Sequence, residues 1–230
     1  MNREIILDTE TTGLSVSNGD RIIEIGCVEV IDKKLTGLTY HTYINPEREL
    51  SDKATEVSGL TYEFLKNHRF FRDIFQEFLD FILDDKLVIH NASFDMGFLN
   101  RELELVGSAP LHYERAIDTL KLARKKYPGS PATLDALCRR FNVDCSTRTK
   151  HGALIDANLL AEVYLEMSVE TVQKSIFSVL EPRTIKQSDT ISKRPIIPER
   201  VYNPTSDEIA THRAFLSMIT NPLWKKFYNS

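Results

Sequence analysis

The sequence predicts an α/β domain in which a mixed sheet is flanked by helices. Three segments rich in β-branched residues come first, at 5–8, 22–31 and 38–45, and their succession predicts an antiparallel meander. Beyond residue 70, apolar residues recur at helical spacing, and a strand-like run at 86–90 interrupts them. Strands that precede and then alternate with helices are typical of layered α/β folds.

The individual elements each have a local signal. In FFRDIFQEFLDFIL at 70–83 the apolar residues share one helical face. Asp118 and Thr133 are residue types that favour helix N-caps, and AIDT at 116–119 can form a last short strand. The other predicted helices cover 94–106, 118–127, 133–141 and 152–167.

The composition changes in the last third of the chain. All nine glycines fall at or before Gly152, whereas five of the nine prolines follow residue 181. We therefore expect a compact domain at 1–168, a linker at 169–204 and a partner-binding segment at 205–230. The last segment opens with Thr205 and Glu208 in capping-box spacing, which predicts a short helix. Such a helix is too small to form a hydrophobic core by itself.

Composition and charge exclude several classes of protein. The net charge of −4 argues against a protein that coats nucleic acid by charge alone, so any handling of nucleic acid must be local, through a metal or a partner. Three cysteines without a CxxC pair argue against a disulfide framework or zinc ribbon and suit a reducing cytosol. We find neither a signal-peptide pattern nor an apolar run of 18 residues. These features predict a cytoplasmic protein with no membrane association.

Four acidic residues stand where structure alone does not favour them. Asp8 and Glu10 lie two apart on a strand, so both carboxylates face the same side. Asp95 opens a helix after a buried strand, and Asp156 lies on a largely apolar helix. Clustered carboxylates repel one another unless a cation lies between them, and hard oxygen ligands suit Mg²⁺ or Mn²⁺. Taken singly, each acid is more simply read as a solvated residue or a helix-terminal acid.

His151 precedes Asp156 by five positions, which on a continuous helix would put the side chains about 140° apart. The two can face one site only if His151 lies at or before the first helical turn. There the imidazole could take a proton from a water molecule. The plainer interpretation is an exposed loop histidine.

Six segments together resemble the DnaQ-type 3′–5′ exonucleases of the histidine subclass, and among them the proofreading epsilon subunits of bacterial DNA polymerase III. The resemblance covers nearly all of the first 167 residues, with the motifs in family order. The segments are LDTETTGL (7–14), RIIEIGCVEV (21–30), LVIHNASFDMGFLN (87–100), IDTLKLAR (117–124), TLDALC (133–138) and HGALIDANLLAEVY (151–164).

The resemblance implies a ribonuclease H-like fold and hydrolysis of 3′-terminal nucleotides with two divalent ions, Mg²⁺ or Mn²⁺. It assigns metal binding to Asp8, Glu10, Asp95 and Asp156, with His151 as the general base. Ser58 stands where the family usually has a histidine near the terminal nucleotide of the substrate. The substrate-contacting residues implied are Thr9, Glu10, Thr11, Thr12, Leu14 and Ser58.

The tail adds two further likenesses. Gln173, Ile176 and Phe177 resemble the short motif that binds the sliding clamp in bacterial replication proteins, although such a pentapeptide also suits an ordinary helix end. Residues 200–212 resemble the region through which epsilon subunits bind the alpha subunit of the polymerase. The implied partners are therefore a DNA 3′ end, the polymerase III alpha subunit and the clamp.

Three alternatives remain at this point. The motifs do not separate DNA from RNA, so another exonuclease of this type that trims RNA or DNA ends fits them too. A replisome adaptor without catalytic activity would be expected to lack an acid or the histidine, and all five are present. A simple nucleotide-binding module would be expected to carry a P-loop or GxGxxG fingerprint, and neither occurs here.

Overall fold

A computed structural model describes residues 2–145, 150–180 and 204–218, with only the backbone described for 169–180. Its five strands form one sheet in the order β3-β2-β1-β4-β5. The first three strands pair antiparallel, and β4 and β5 join β1 in parallel, which confirms the predicted mixed sheet. The strands are β1 (Arg3–Thr11), β2 (Ile22–Ile31), β3 (Lys34–Tyr43), β4 (Lys86–Ile89) and β5 (Ala116–Asp118).

Eight α-helices occur in the part of the chain that is described. The predicted caps are confirmed: Asp118 accepts from Leu120 N and Lys121 N, and Thr133 accepts from Ala136 N. None of these helices has the length and hydrophobicity that a bilayer crossing requires. The helices are α1 (Asp52–Ser58), α2 (Tyr62–Leu65), α3 (Phe71–Ile82), α4 (Ala92–Leu105), α5 (Thr119–Lys126), α6 (Leu134–Phe141), α7 (Ala153–Leu180) and α8 (Ser206–Ser217).

The helices cover the sheet on both faces and create two apolar cores. Ile5 and Leu7 of β1 point into the core formed with α3 and α4. Ile6, between them, points into the core formed with α6 and α7. Because side chains alternate along a strand, Asp8 and Glu10 share the α7 side of the sheet. Strand β2 is buried along almost its whole length, as expected of a strand covered on both faces.

Helix α7 continues to Leu180, well past the predicted helix end at residue 167. The sequence between Ala153 and Leu180 contains no glycine or proline, so nothing in it interrupts the helical hydrogen bonds. The contacts divide the chain into two units, Met1–Pro182 and Arg183–Ser230. The domain boundaries proposed at residues 168 and 204 remain predictions.

The second unit contains α8, which begins at the predicted capping box. Thr205 Oγ1 accepts from Glu208 N at 3.3 Å, and Glu208 Oε2 accepts from Thr205 N at 2.7 Å. Ile209, His212 and Leu216 are the least exposed residues described on α8, and their spacing places them along one face. Of the predicted linker at 169–204, residues 181–203 lie outside the described residues.

Candidate active site

Helix α7 meets the sheet directly opposite Asp8. Asp8 pairs with Gly26 of β2, and a Cβ atom at Gly26 would lie only 2.3 Å from the carbonyl carbon of Ala153. Only a residue without a side chain permits this approach of the helix backbone to the strand. The first turn of α7, which contains Asp156, is thereby held over the carboxylates of β1.

Three of the predicted residues converge here. Ligand atoms of Glu10, His151 and Asp156 all lie within 4.8 Å of one another. Asp156 is only 3% exposed, and its Oδ2 lies 3.1 Å from His151 Nδ1. His151 precedes the first residue of α7, so the condition set by its five-residue spacing from Asp156 is met.

A cavity of about 460 Å³ opens beside these residues at the carboxyl ends of the parallel strands. Ligand sites in sheets with parallel strands commonly occupy this edge. We call this space the acid cavity. Its polar lining residues include Asp8, His90, Asn91, Asp135, His151 and Asp156.

A second cavity of about 380 Å³ lies where β1 ends. Glu10 lines this cavity and also belongs to the group of ligand atoms that it forms with His151 and Asp156. Leu14 is 73% exposed, an unusual exposure for a leucine, at the same edge. The residues that define this strand-end cavity are Thr9, Glu10, Thr11, Leu14, Val57 and Phe94.

Asp95, 3% exposed in the first turn of α4, is not among the residues that line these two cavities. Its Oδ1 accepts from Thr9 N at 3.1 Å and from Thr9 Oγ1 at 2.7 Å. Burial raises the pKa of the Asp95 carboxyl to about 7, against these stabilising hydrogen bonds. Asn91, which precedes α4, adopts the left-handed conformation with φ of 67° and so turns the chain sharply from β4 into the helix.

The segment that carries His151 is attached to the end of α1. His151 N donates to Val57 O at 3.1 Å, and Lys150 Nζ donates to Glu56 O at 2.6 Å. These carbonyls lie in the last turn of α1, where helix carbonyls lack partners of their own. A cationic side chain is favourable at a helix C-terminus. Lys150 therefore fixes the loop that presents the imidazole.

Comparisons with known proteins agree with this arrangement. The family model for the RNase T exonucleases, described as Exonuclease, matches residues 5–164. The chain is 47% identical over 222 residues to the DNA polymerase III subunit epsilon of Rickettsia felis, covering 94% of this chain and 96% of that protein. It is 40% identical over 230 residues to the subunit of the same name from Escherichia coli, covering 95% and 94%. The solved structure of exonuclease X in complex with 5′-overhanging duplex DNA matches with a TM-score of 0.58 at 26% identity, covering 74% of this chain and 93% of that one.

The chain belongs to the exonuclease family. This confirms the family, the fold class and the 3′–5′ exonuclease activity that the sequence predicts. Exonucleases of this type normally use divalent metal ions, and the carboxylates of Glu10 and Asp156 are oxygen donors of the kind that such ions prefer.

The exonuclease fold brings together four of the six residues expected to contact substrate. Thr9, Glu10, Thr11 and Leu14 line the strand-end cavity. Thr12 is fully buried, and its hydroxyl donates to Asp20 Oδ1 at 3.2 Å and accepts from Arg21 N.

Ser58 is also directed inward. It is buried at the end of α1, where its hydroxyl donates to Ala54 O at 2.8 Å and accepts from Leu60 N at 3.1 Å. These bonds hold the helix end, so a substrate contact from the Ser58 side chain remains only a prediction.

The predicted clamp-binding residues lie beyond the first 15 residues of α7. The backbone at Gln173, Ile176 and Phe177 is helical, and their side chains lie outside the described part of the structure.

His90 is a functional candidate that is not among the site residues predicted from the sequence. It lines the acid cavity, and its Nδ1 lies 3.0 Å from Thr119 Oγ1. Burial lowers the pKa of this imidazole. The sequence did contain a signal for this position. His90 directly follows β4, which is parallel to β1, and the carboxyl ends of parallel strands lie at the same edge of a sheet.

We expect the buried carboxyl of Asp95 to make the stability of the metal-free exonuclease depend on pH. Its raised pKa means that the folded state binds more protons than the unfolded state between about pH 4 and pH 7, so stability falls as pH rises through this window. We expect Asp95→Asn, which keeps the oxygen that accepts from Thr9, to exceed wild type in stability at pH 8 by on the order of a few kcal/mol. At pH 5 the difference should shrink. Urea unfolding in chelator at both values measures it, and a difference independent of pH would contradict the assignment.

Proposed function

We propose that this exonuclease is the proofreading subunit of a bacterial DNA polymerase III and removes 3′-terminal nucleotides from DNA in the cytoplasm. The observation that carries the proposal is the convergence of Glu10, His151 and Asp156 beside the cavity lined by Asp8. The relatives named DNA polymerase III subunit epsilon support it, because they match along nearly the whole chain.

The acidic residues suit a pair of hard cations, either Mg²⁺ or Mn²⁺. Asp8, Glu10, Asp95 and Asp156 supply the oxygen ligands that these ions prefer, and burying like charges together is unfavourable without a counter-charge. When bound, two such ions lower the pKa of the attacking water and stabilise the leaving oxygen.

His151 would act as the general base. Its Nδ1 is directed at the Asp156 carboxylate, which orients the ring and leaves the Nε2 position as the proton acceptor of the proposal. Water attacks the phosphorus of the last phosphodiester, and its proton passes to His151. The bond from phosphorus to the 3′ oxygen of the preceding nucleotide breaks, which releases a nucleoside 5′-monophosphate.

Degradation of a 3′-labelled single strand by wild type and His151→Gln tests this proposal. We expect wild type to release labelled mononucleotide with Mg²⁺ or Mn²⁺ and to stop in chelator. We expect the variant to lose about a hundredfold or more in turnover, within the usual contribution of a general base, while retaining metal binding. An RNA strand of the same sequence serves as the comparison substrate. Cleavage only from the 5′ end, full activity in chelator or faster degradation of RNA than of DNA would contradict the proposal.

We also propose that the two ends of the tail bind separate partners. Helix α8 leaves Phe215 55% exposed, and Met218, directly after the helix, is 77% exposed, so this end of the tail suits the polymerase alpha subunit. Gln173, Ile176 and Phe177 suit the sliding clamp. We expect residues 183–230 to bind the alpha subunit and residues 1–182 to retain single-strand hydrolysis without binding it. Pull-downs with the two fragments measure this. Capture of the alpha subunit by residues 1–182 would refute the division.

A further inference from the structure

A third cavity, of about 620 Å³, borders both cavities of the active site. It shares Lys53 and Val57 with the strand-end cavity, and it shares Asp135 and His151 with the acid cavity. The third cavity therefore adjoins both of the others, and His151 lies where it meets the acid cavity. The charged and catalytic residues of this cationic cavity are Lys53, Glu56, Asp135, Arg139, Lys150 and His151.

The cationic cavity collects positive charge in a chain whose net charge is −4. Lys53, Arg139 and Lys150 come from three separate parts of the chain, and against them stand the two carboxylates of Glu56 and Asp135. Lys150 is already bonded to the end of α1. Among the described residues, the structure records no ion pair for Lys53 or Arg139, both of which are exposed.

We propose that Lys53 and Arg139 bind a backbone phosphate of single-stranded DNA, namely the phosphodiester that follows the scissile one in the 5′ direction. With the terminal nucleotide in the strand-end cavity and the scissile phosphate at the acidic residues, the next phosphate is carried past His151 into the cationic cavity. A positively charged groove beside the reacting end is the usual way in which proteins track a single strand without reading its sequence. This inference rests on the proposed cleavage from a DNA 3′ end.

Oligonucleotide length provides the test. A dinucleoside monophosphate contains only the scissile phosphate, whereas a trinucleoside diphosphate also contains the next one. We expect Lys53→Gln combined with Arg139→Gln to raise KM for the trinucleotide about tenfold, the value of one lost charged hydrogen bond. The kcat for both substrates should change less than twofold. Arg139 lines the cationic cavity but not the strand-end cavity, so Arg139→Gln alone should leave KM for the dinucleotide unchanged. The slope of log KM against log salt for the trinucleotide should fall by about 0.7, the value for one neutralised phosphate.

Two further variants sharpen the result. Lys34→Gln removes one charge at the opposite end of the sheet, since Lys34 pairs with Ile31 and Ile31 with Arg3, and should behave as wild type. Glu56→Gln removes an opposing carboxylate from the cavity and should lower KM for the trinucleotide. Both replaced cations are exposed, so the variants should fold, and unchanged thermal melting confirms that they do.

The outcomes separate this inference from the proposed function. If wild type does not cleave from the 3′ end, the proposed function fails. If wild type cleaves and the double variant shows an unchanged trinucleotide KM, the cationic cavity does not bind the strand. An equal rise in KM for both substrates would place the cations at the scissile phosphate and overturn the assignment. Weaker inhibition by deoxynucleoside monophosphate with no change for the trinucleotide would assign the cavity to the released product instead.

Discussion

Replacing Asp8 with alanine is expected to lower kcat by about a thousandfold or more, because each active-site cation contributes several kcal/mol of transition-state stabilisation. Asp8 lies on β1, where it pairs with Gly26 of β2, and it lines the acid cavity together with Asp156. Loss of its carboxylate removes a ligand from the centre of the proposed metal site. Single-turnover hydrolysis of a labelled single strand measures the effect.

Stability distinguishes this catalytic role of Asp8 from a structural one. Removing one of several clustered carboxylates relieves repulsion, so the metal-free Asp8→Ala protein should melt at the same or a higher temperature than wild type. Added Mg²⁺ should raise the melting temperature of wild type more than that of the variant. Asp84→Ala, at an exposed position before β4, is the matched control and should retain full activity. A large drop in the melting temperature of metal-free Asp8→Ala would show that Asp8 supports the fold.

Gly26→Ala is expected to cost both stability and activity. The added Cβ would lie 2.3 Å from the carbonyl carbon of Ala153, and a backbone clash of this kind has no rotamer that relieves it. Moving the start of α7 away from β2 should destabilise the protein by about 3 kcal/mol. The same shift displaces Asp156 and His151, and a misplacement of about 1 Å can cost about a hundredfold in rate.

Gly97 on α4 offers a matched comparison for this substitution. A Cβ there meets nothing within 4 Å, so Gly97→Ala should stabilise the helix by up to about 1 kcal/mol and leave kcat unchanged. Urea unfolding and steady-state kinetics of the two variants measure the contrast. Equal behaviour of the two would mean that the contact between β2 and α7 does not position the site.

Local signals were enough to predict the parts of the fold that local interactions determine. The caps at Asp118, Thr133 and Thr205 follow from their own neighbours in sequence, and all three are observed. Helices α1 and α2 were not predicted, because one or two turns give no hydrophobic period to detect. Their capping residues, Ser51 and Thr61, were the signals that the sequence offered.

In the candidate site, too, sequence spacing predicts some features, and tertiary contacts determine the others. The pairing of Asp8 with Glu10 and the placement of His151 before α7 follow from spacing. The burial of Thr12 depends on packing that spacing does not encode, whereas the bonds of Ser58 to Ala54 and Leu60 are local. The bond from Lys150 to Glu56, 94 residues away, also depends on the tertiary fold. So does the position of Lys53 and Arg139 around the same cationic cavity.

Helix α1 serves two sites at once, and this links them mechanically. Ala54 and Val57 form part of the wall of the strand-end cavity, while the carbonyls of Glu56 and Val57 hold Lys150 and His151. Any displacement of α1 at the wall of this cavity would therefore also displace the segment that carries His151. The position of His151 and the shape of the strand-end cavity therefore depend on the same seven-residue helix.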